Sequence, residues 1–177
     1  AMLGVRRTEQ DRIQCLDINI GGTKNVLEAC VKAGVKKVIF SSSSEVYGEP
    51  VKTPISETDA VSPKSVYAIT KLAGEEYLKA YAKEYGFDYS IVRVFNVYGP
   101  GQVAEFVLPR FVKAVLSNAQ PVIYGKGDQI RCFCHVDDVA EGVRLILESK
   151  NSHGHIFNVG NDTQQATVKH LAERIIK

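Results

Sequence analysis

The sequence predicts an α/β fold built on a parallel sheet, and two observations carry that expectation. The first is a short apolar run, Val38-Ile39-Phe40, that ends in four hydroxyl residues, Ser41 to Ser44. A buried parallel strand delivers polar groups to the open carboxyl edge of its sheet in this way, and that edge is where α/β folds keep their chemistry. The second is alternation: a strand over Val38 to Ser42, a helical pattern ending near Tyr85, and another apolar strand over Tyr89 to Asn96. Connections of that length imply a right-handed crossover between parallel strands.

The remaining elements follow in order. From Thr8 to Gly34, Ile13, Leu16, Ile20, Leu27 and Val31 recur at helical spacing, and Gly34 suits the C-terminal cap. The pair Gly21-Gly22 inside this helix costs about 1 kcal/mol per glycine against alanine, which predicts a close packing partner there. After the first strand, Pro50, Pro54 and Pro63 prevent regular structure and predict a loop over the strand end. The next helix starts between Ser62 and Ser65, either able to cap it, and runs to Gly86, with Tyr77, Tyr81 and Tyr85 as packing residues. Beyond the turn at Tyr98 to Gly101, the pattern predicts a helix from about Phe106 to Ser117 and a short strand from Pro121 to Tyr124. A tight turn at Gly125 to Asp128 and a strand from Ile130 to Val136 come next. Asp137 is placed to cap a helix from Val139 to Glu148, and a strand Ile156 to Val159 and a helix Thr167 to Ile176 complete the reading.

Chemistry concentrates between Val38 and Lys71. Tyr67 and Lys71 stand four apart at the start of a helical pattern, so both project from one face. A free tyrosine titrates near pKa ~10, and a neighbouring ammonium favours the phenolate, which moves the phenol toward a working general base. A hydroxyl from Ser43 at the strand end would complete a site that removes a proton from an alcohol. Tyr-x-x-x-Lys alone is a weak signal; strand, serine cluster and helix at this spacing are a much stronger one.

Composition narrows the function classes. The chain has 177 residues, 45% of them hydrophobic, and a formal net charge of +2. That is enough apolar content for a core, and it offers no electrostatic reason to expect nucleic acid or an acidic membrane as partner. No apolar run is long enough to span a bilayer, and Arg6 and Arg7 interrupt any signal-peptide pattern, so the cytoplasm is the expected location. The four cysteines, Cys15, Cys30, Cys132 and Cys134, lack the paired spacing of a zinc site, so reduced thiols and no metal are expected.

The motifs taken together resemble the extended short-chain dehydrogenase/reductase family, in particular its NAD-dependent nucleotide-sugar epimerases and dehydratases. They are Asn19-Ile20-Gly21-Gly22-Thr23, Ser41-Ser42-Ser43 with Val46-Tyr47-Gly48, Tyr67 to Lys71, and Arg93-Val94-Phe95-Asn96-Val97-Tyr98-Gly99-Pro100. Arg131 before Phe133, Val136-Asp137-Asp138-Val139 and Phe157-Asn158-Val159-Gly160 complete the set. The resemblance implies a partial Rossmann-like sheet over residues 1–100, with segments of a small α/β substrate-binding domain and returning elements over residues 101–177. It implies NAD as cofactor and a nucleotide sugar as substrate. Tyr67 would take the sugar 4-hydroxyl proton, Lys71 would hold the nicotinamide ribose, and Ser43 would hydrogen-bond the reacting oxygen. Asn19, Ser41, Ser42 and Phe95 would lie at the cofactor. Asn96 and Arg131 would contact the diphosphate, and Ile123 and Tyr124 would border the base. Relatives pair through their long helices, which implies a homodimer with a four-helix contact formed by Thr8 to Gly34 and Val66 to Tyr85.

Glu45 sets the reaction type. In relatives that remove water or decarboxylate, a glutamate at this place takes the C5 proton once C4 is a ketone. The Ser44-Glu45 pair resembles the GDP-mannose dehydratases and UDP-xylose synthases, yet sequences that look like plain epimerases carry glutamate there too. The expectation is a UDP-hexose 4-epimerase, with dehydratase or decarboxylase as the alternative. The family's Gly-x-x-Gly-x-x-Gly turn, whose amides receive the cofactor pyrophosphate, is not in the sequence. The first half of the dinucleotide-binding domain is therefore expected to be missing, and an inactive fragment or degenerate binding module is the competing reading from a different class.

Overall fold

The computed structural model describes residues 1–163 and 165–176, apart from the side chain of Val5. It divides into two compact units, one of Ala1–Val94 with Ala140–Val159, the other of Phe95–Val139 with Gly160–Lys177. In chain order the elements are α1 (Val5–Gln10), α2 (Arg12–Leu16), a π-helical turn (Asp17–Gly21), α3 (Gly22–Lys32) and β1 (Lys37–Ser43). A 3₁₀ turn (Ser44–Tyr47), α4 (Val66–Tyr85) and β2 (Asp88–Val94) follow. The rest are β3 (Val97–Tyr98), α5 (Val107–Leu116), β4 (Ile130–Cys132), β5 (Cys134–His135), α6 (Val136–Glu148), β6 (His155–Val159), β7 (Gln165–Thr167) and α7 (Val168–Ile176).

The first unit is organised on a parallel three-stranded sheet in the order β1-β2-β6. Its central strand β2 buries Ser90, Ile91, Val92 and Arg93, as expected of a strand covered on both faces. The main core gathers Leu27 of α3, Leu78 and Ala82 of α4, and Phe87 and Ile91, with Val38, Phe40, Tyr77 and Tyr81 packed against it. Helix α4 is delimited as its sequence requires. Ser65 caps the N-terminus by accepting from the Ala68 amide at 3.1 Å, and Gly86 ends it in the left-handed region at φ 70°.

Several expectations change. The single helix over Thr8 to Gly34 is three helical segments, broken at Asp11 (φ −115°, ψ 59°) and loosened by the π turn around Asn19. A β-carbon on Gly21 or Gly22 would meet no atom of the chain within 4 Å, so close packing does not explain these glycines. The close approach is instead at Gly74, where a β-carbon would lie 2.3 Å from the tip of the Phe40 ring. Hydrophobic periodicity reports which face is buried and not how near the neighbour comes.

In the second unit β3 pairs with β5 in parallel and β4 with β7 antiparallel. The segment Pro121 to Tyr124 is not a strand, because it has no ladder partner among the described residues. The strand expected over Ile130 to Val136 is split at Phe133, and α6 begins at Val136, which puts Asp137 in its first turn and not at its cap. Phe133 and His135 both meet the Tyr98 ring edge-on. Phe111 of α5 is fully buried, and α5 packs on α7.

Candidate active site

The carboxyl end of β1 and the first turns of α4 bring the expected proton-transfer group together. Ser43, the last residue of β1, accepts from the Glu45 amide at 3.2 Å, and this bond starts the 3₁₀ turn that carries Glu45. Tyr67, one turn into α4, brings its phenol close enough to Ser43 for the serine to act on its titration. Lys71, one turn further on the same face, is nearly buried and donates to the Ser41 carbonyl at 2.6 Å. Its Nζ lies 5.6 Å from the centre of the Tyr67 ring and 5.3 Å from that of Phe40. A pocket of about 50 Å³ opens on this group, lined by Gly4, Thr8, Glu9, Glu45, Ser65 and Tyr67.

The electrostatics differ from the expectation for Tyr67. Burial pushes its phenol up to about 12, the Glu45 carboxylate adds to the rise, and the bond with Ser43 opposes it. The ammonium of Lys71, held on the Ser41 carbonyl, does not offset this rise. Burial in turn pushes Lys71 down. Glu45 keeps its place by accepting from the Ser65 hydroxyl at 3.0 Å, so the residue that caps α4 also aims the carboxylate that acts on Tyr67.

Two residues expected at the cofactor have their polar groups engaged within the protein. The buried Asn19 accepts from the Met2 amide at 2.6 Å and donates to the Met2 carbonyl and to Thr70 Oγ1, both at 3.0 Å. It therefore ties the segment before α1 to α4. Ser42 donates to Glu75 at 2.5 Å, whereas Ser41 is exposed and offers its hydroxyl freely to one side of β1.

The residues expected at the nucleotide, with Phe95, all belong to the second unit. Asn96 donates to the Cys132 carbonyl at 3.2 Å, and its own carbonyl accepts from the Cys134 amide at 2.9 Å, bracing the break at Phe133. Arg131 is exposed and donates to the adjacent Ile130 carbonyl at 2.9 Å. Tyr124 is exposed with the Arg110 guanidinium 4.6 Å from its ring centre, and Ile123 packs near Gly127. Among the described residues no three of His, Cys, Asp and Glu gather as a metal would require. None of the described helices is long and apolar enough to cross a membrane.

Sequence reasoning missed the group beneath Ser43. Glu75, fully buried, receives Arg93 Nε at 3.0 Å and Nη2 at 2.7 Å in a two-pronged ion pair. Burial pushes Arg93 down, and its ion pair with Glu75 and its place against Tyr47 more than reverse this. Glu75 continues the spacing of Tyr67 and Lys71 by one more turn, and that continuation was the available signal.

Residues 1–160 match the model of the NAD dependent epimerase/dehydratase family. The chain belongs to this family. A putative UDP-glucose 4-epimerase of Methanocaldococcus jannaschii is 39% identical over 164 residues, covering 90% of this chain and 53% of the relative. A UDP-N-acetyl-alpha-D-glucosaminuronate decarboxylase of Bacillus cytotoxicus is also 39% identical, over 99% of this chain and 56% of its own length. The chain thus spans about half the length of the curated relatives it matches. Among solved structures, a UDP-glucose 4-epimerase of Thermotoga maritima with UDP-glucose superposes with a TM-score of 0.91 at 35% identity, covering 99% of this chain and 57% of that one. A dTDP-glucose 4,6-dehydratase of Streptomyces venezuelae with NAD bound superposes at 0.93 and 31% identity, covering 99% and 54%. This epimerase/dehydratase chain therefore has the α/β, Rossmann-type architecture of both reaction classes.

Proposed function

We propose that the chain carries the proton-transfer centre of an NAD-dependent nucleotide-sugar 4-epimerase, with a UDP-hexose as substrate and a transient 4-keto sugar as intermediate. One observation carries the reading: Lys71, one turn after Tyr67 in α4, places its ammonium 5.6 Å from the Tyr67 ring centre and on the Ser41 carbonyl, which sets the phenol at the end of β1 near Ser43. Tyr67 takes the sugar 4-hydroxyl proton and returns it, and Ser43 holds the reacting oxygen. Tyr67, Lys71 and Ser41 would hold the cofactor; the ammonium has three donors and uses one on Ser41, which suits it to ribose hydroxyls. NAD, when bound, supplies a reversible hydride acceptor for the sugar C4 and a positive charge that favours the phenolate. Asn96 and Arg131 would bind the diphosphate and Ile123 and Tyr124 the base, an assignment that rests on the motifs they share with the family. Pairing of two copies through the long helices belongs to the same reading. Ile13 and Val26, 77% and 59% exposed, are the side chains such a contact would cover, and sedimentation velocity would test it by showing a species of twice the chain's 19.5 kDa.

Glu45 supports a second reading, a 4,6-dehydratase or decarboxylase, because its carboxylate is fixed by Ser65 beside Tyr67, where a C5 proton acceptor would be needed. Incubation with NAD and UDP-glucose, UDP-glucuronate or GDP-mannose, followed by NMR of the products, separates the two. The epimerase reading expects UDP-galactose from UDP-glucose, and a 4-keto-6-deoxy product would refute it. A chain that neither turns over nor shifts its melting temperature at millimolar NAD would instead be a binding module without catalysis.

A further inference from the structure

Beneath the proposed centre lies a buried polar assembly that no step of the chemistry uses. Glu75 is 0% exposed, Arg93 and Ser42 are each 3%, and Tyr47 is 2%. Both carboxylate oxygens of Glu75 are engaged, Oε1 by Ser42 Oγ at 2.5 Å and Arg93 Nε at 3.0 Å, Oε2 by Arg93 Nη2 at 2.7 Å. The Arg93 guanidinium lies 4.8 Å from the centre of the Tyr47 ring, and the Tyr47 hydroxyl donates to Asn158 Oδ1 at 2.8 Å. Asn158 then holds the proline-rich loop, its amide donating to the Glu57 carboxylate at 2.8 Å and its side chain to the Ile55 carbonyl at 3.1 Å.

A buried ion pair is weak evidence for stability, because desolvation offsets most of its attraction, and apolar replacements of equal volume are often as stable. What such a pair supplies is direction. Arg93 fixes the Glu75 plane through two bonds at a set angle, and Ser42 locks the same carboxylate to β1. The anchored atoms flank the working ones: Ser42 precedes Ser43, Tyr47 follows Glu45 in the 3₁₀ turn, and Glu75 shares a helix face with Tyr67 and Lys71.

We infer that Glu75 is a positioning residue for Tyr67: clamped between Ser42 and Arg93, it fixes α4 against the end of β1 so that the phenol stays on Ser43. The chemistry of the centre is that of the proposed function, on which this inference rests. The clamp sets an angle and a distance, so its loosening acts on the chemical step more than on sugar-nucleotide binding.

The test uses three small changes, Ser42→Ala, Glu75→Asp and Arg93→Lys, each assayed for melting temperature, for kcat and KM with UDP-glucose and NAD, and for the ¹³Cζ signal of Tyr67 through its titration. Clamp loosening predicts a fall in kcat of about tenfold or more with KM changed less than about threefold, in variants still folded at the assay temperature. It also predicts a shifted Tyr67 signal in Ser42→Ala, and recovery of both readouts in Ser42→Thr, which restores the hydroxyl. A lower melting temperature with unchanged kcat and an unmoved Tyr67 signal would overturn the inference and leave the pair a purely structural one. Should the unmodified chain turn over no nucleotide sugar, the proposed function fails; the Tyr67 signal then decides the positioning role by itself, supporting it if it moves and refuting it if it does not.

Discussion

At Tyr67 two opposing demands meet. Burial pushes the phenol up to about 12, while a general base must lose its proton near neutral pH. Tyr67→Phe removes the hydroxyl and little else, so turnover should fall by about 10²–10⁴-fold with the melting curve preserved, measured as product formed per folded chain. Because the folded phenol titrates above the unfolded one, it holds its proton between about pH 10 and 12 while the unfolded chain releases it. Stability contributed by Tyr67 is therefore complete below pH ~10 and lost as pH rises toward 12, and Tyr67→Phe should flatten that part of the denaturation profile. Glu45→Gln deletes the charge that adds to the rise, so the limb on which activity rises with pH as Tyr67 loses its proton should move to lower pH, as a kcat–pH profile would report. A limb that stays in place would mean that Glu45 does not act on the phenol. Tyr67, Lys71 and Ser43 were legible in the sequence because helix spacing alone puts the first two on one face. The direction of the Tyr67 shift was not, since it depends on how deeply the ring is buried and on Ser65 aiming Glu45.

Helix α4 and strand β1 work as one element, and Gly74 leaves room between them for the Phe40 ring. The Phe40 ring also lies under the Lys71 ammonium. Gly74→Ala should force that ring aside and cost about 1–3 kcal/mol by overpacking, despite alanine's better helix propensity, a balance that chemical denaturation would measure. An equal or higher stability would mean that Phe40 moves without resistance. Helix ends at Ser65 and Gly86 followed from capping chemistry, which is local. The break at Asp11, the π turn at Asn19 and the division at Phe133 did not. The last two involve partners distant in sequence: Asn19 bonds Met2 and Thr70, and Asn96 holds both sides of the Phe133 break.

For the molecule as a whole, the sheet of the first unit is tied to its covering helix by Lys37. Its ammonium at the start of β1 donates to the carbonyls of Ile146, Leu147 and Ser149 and to the Ser152 hydroxyl, at 2.7 to 2.9 Å, closing the C-terminal end of α6. Lys37→Met keeps the stem and removes the charge; it should lower stability by about 1–2 kcal/mol and increase amide exchange in the last turn of α6. Unchanged exchange there would show that water replaces the ammonium without loss. The sequence by itself determined the alternation of strands and helices, the parallel sheet, the family, and the placing of Ser43, Tyr67 and Lys71 at one sheet edge. The elements and the sheet edge rest on periodicity, capping and spacing, all of which act over a few residues, and the family on the resemblance of motifs along the chain. Only the tertiary structure decided that Glu75 and Arg93 lie paired beneath that edge, that Lys71 is held by the Ser41 carbonyl, and that Tyr67 is raised. These depend on which side chains burial brings together from distant parts of the chain, and burial sets both the cost of a charge and the partner that must meet it.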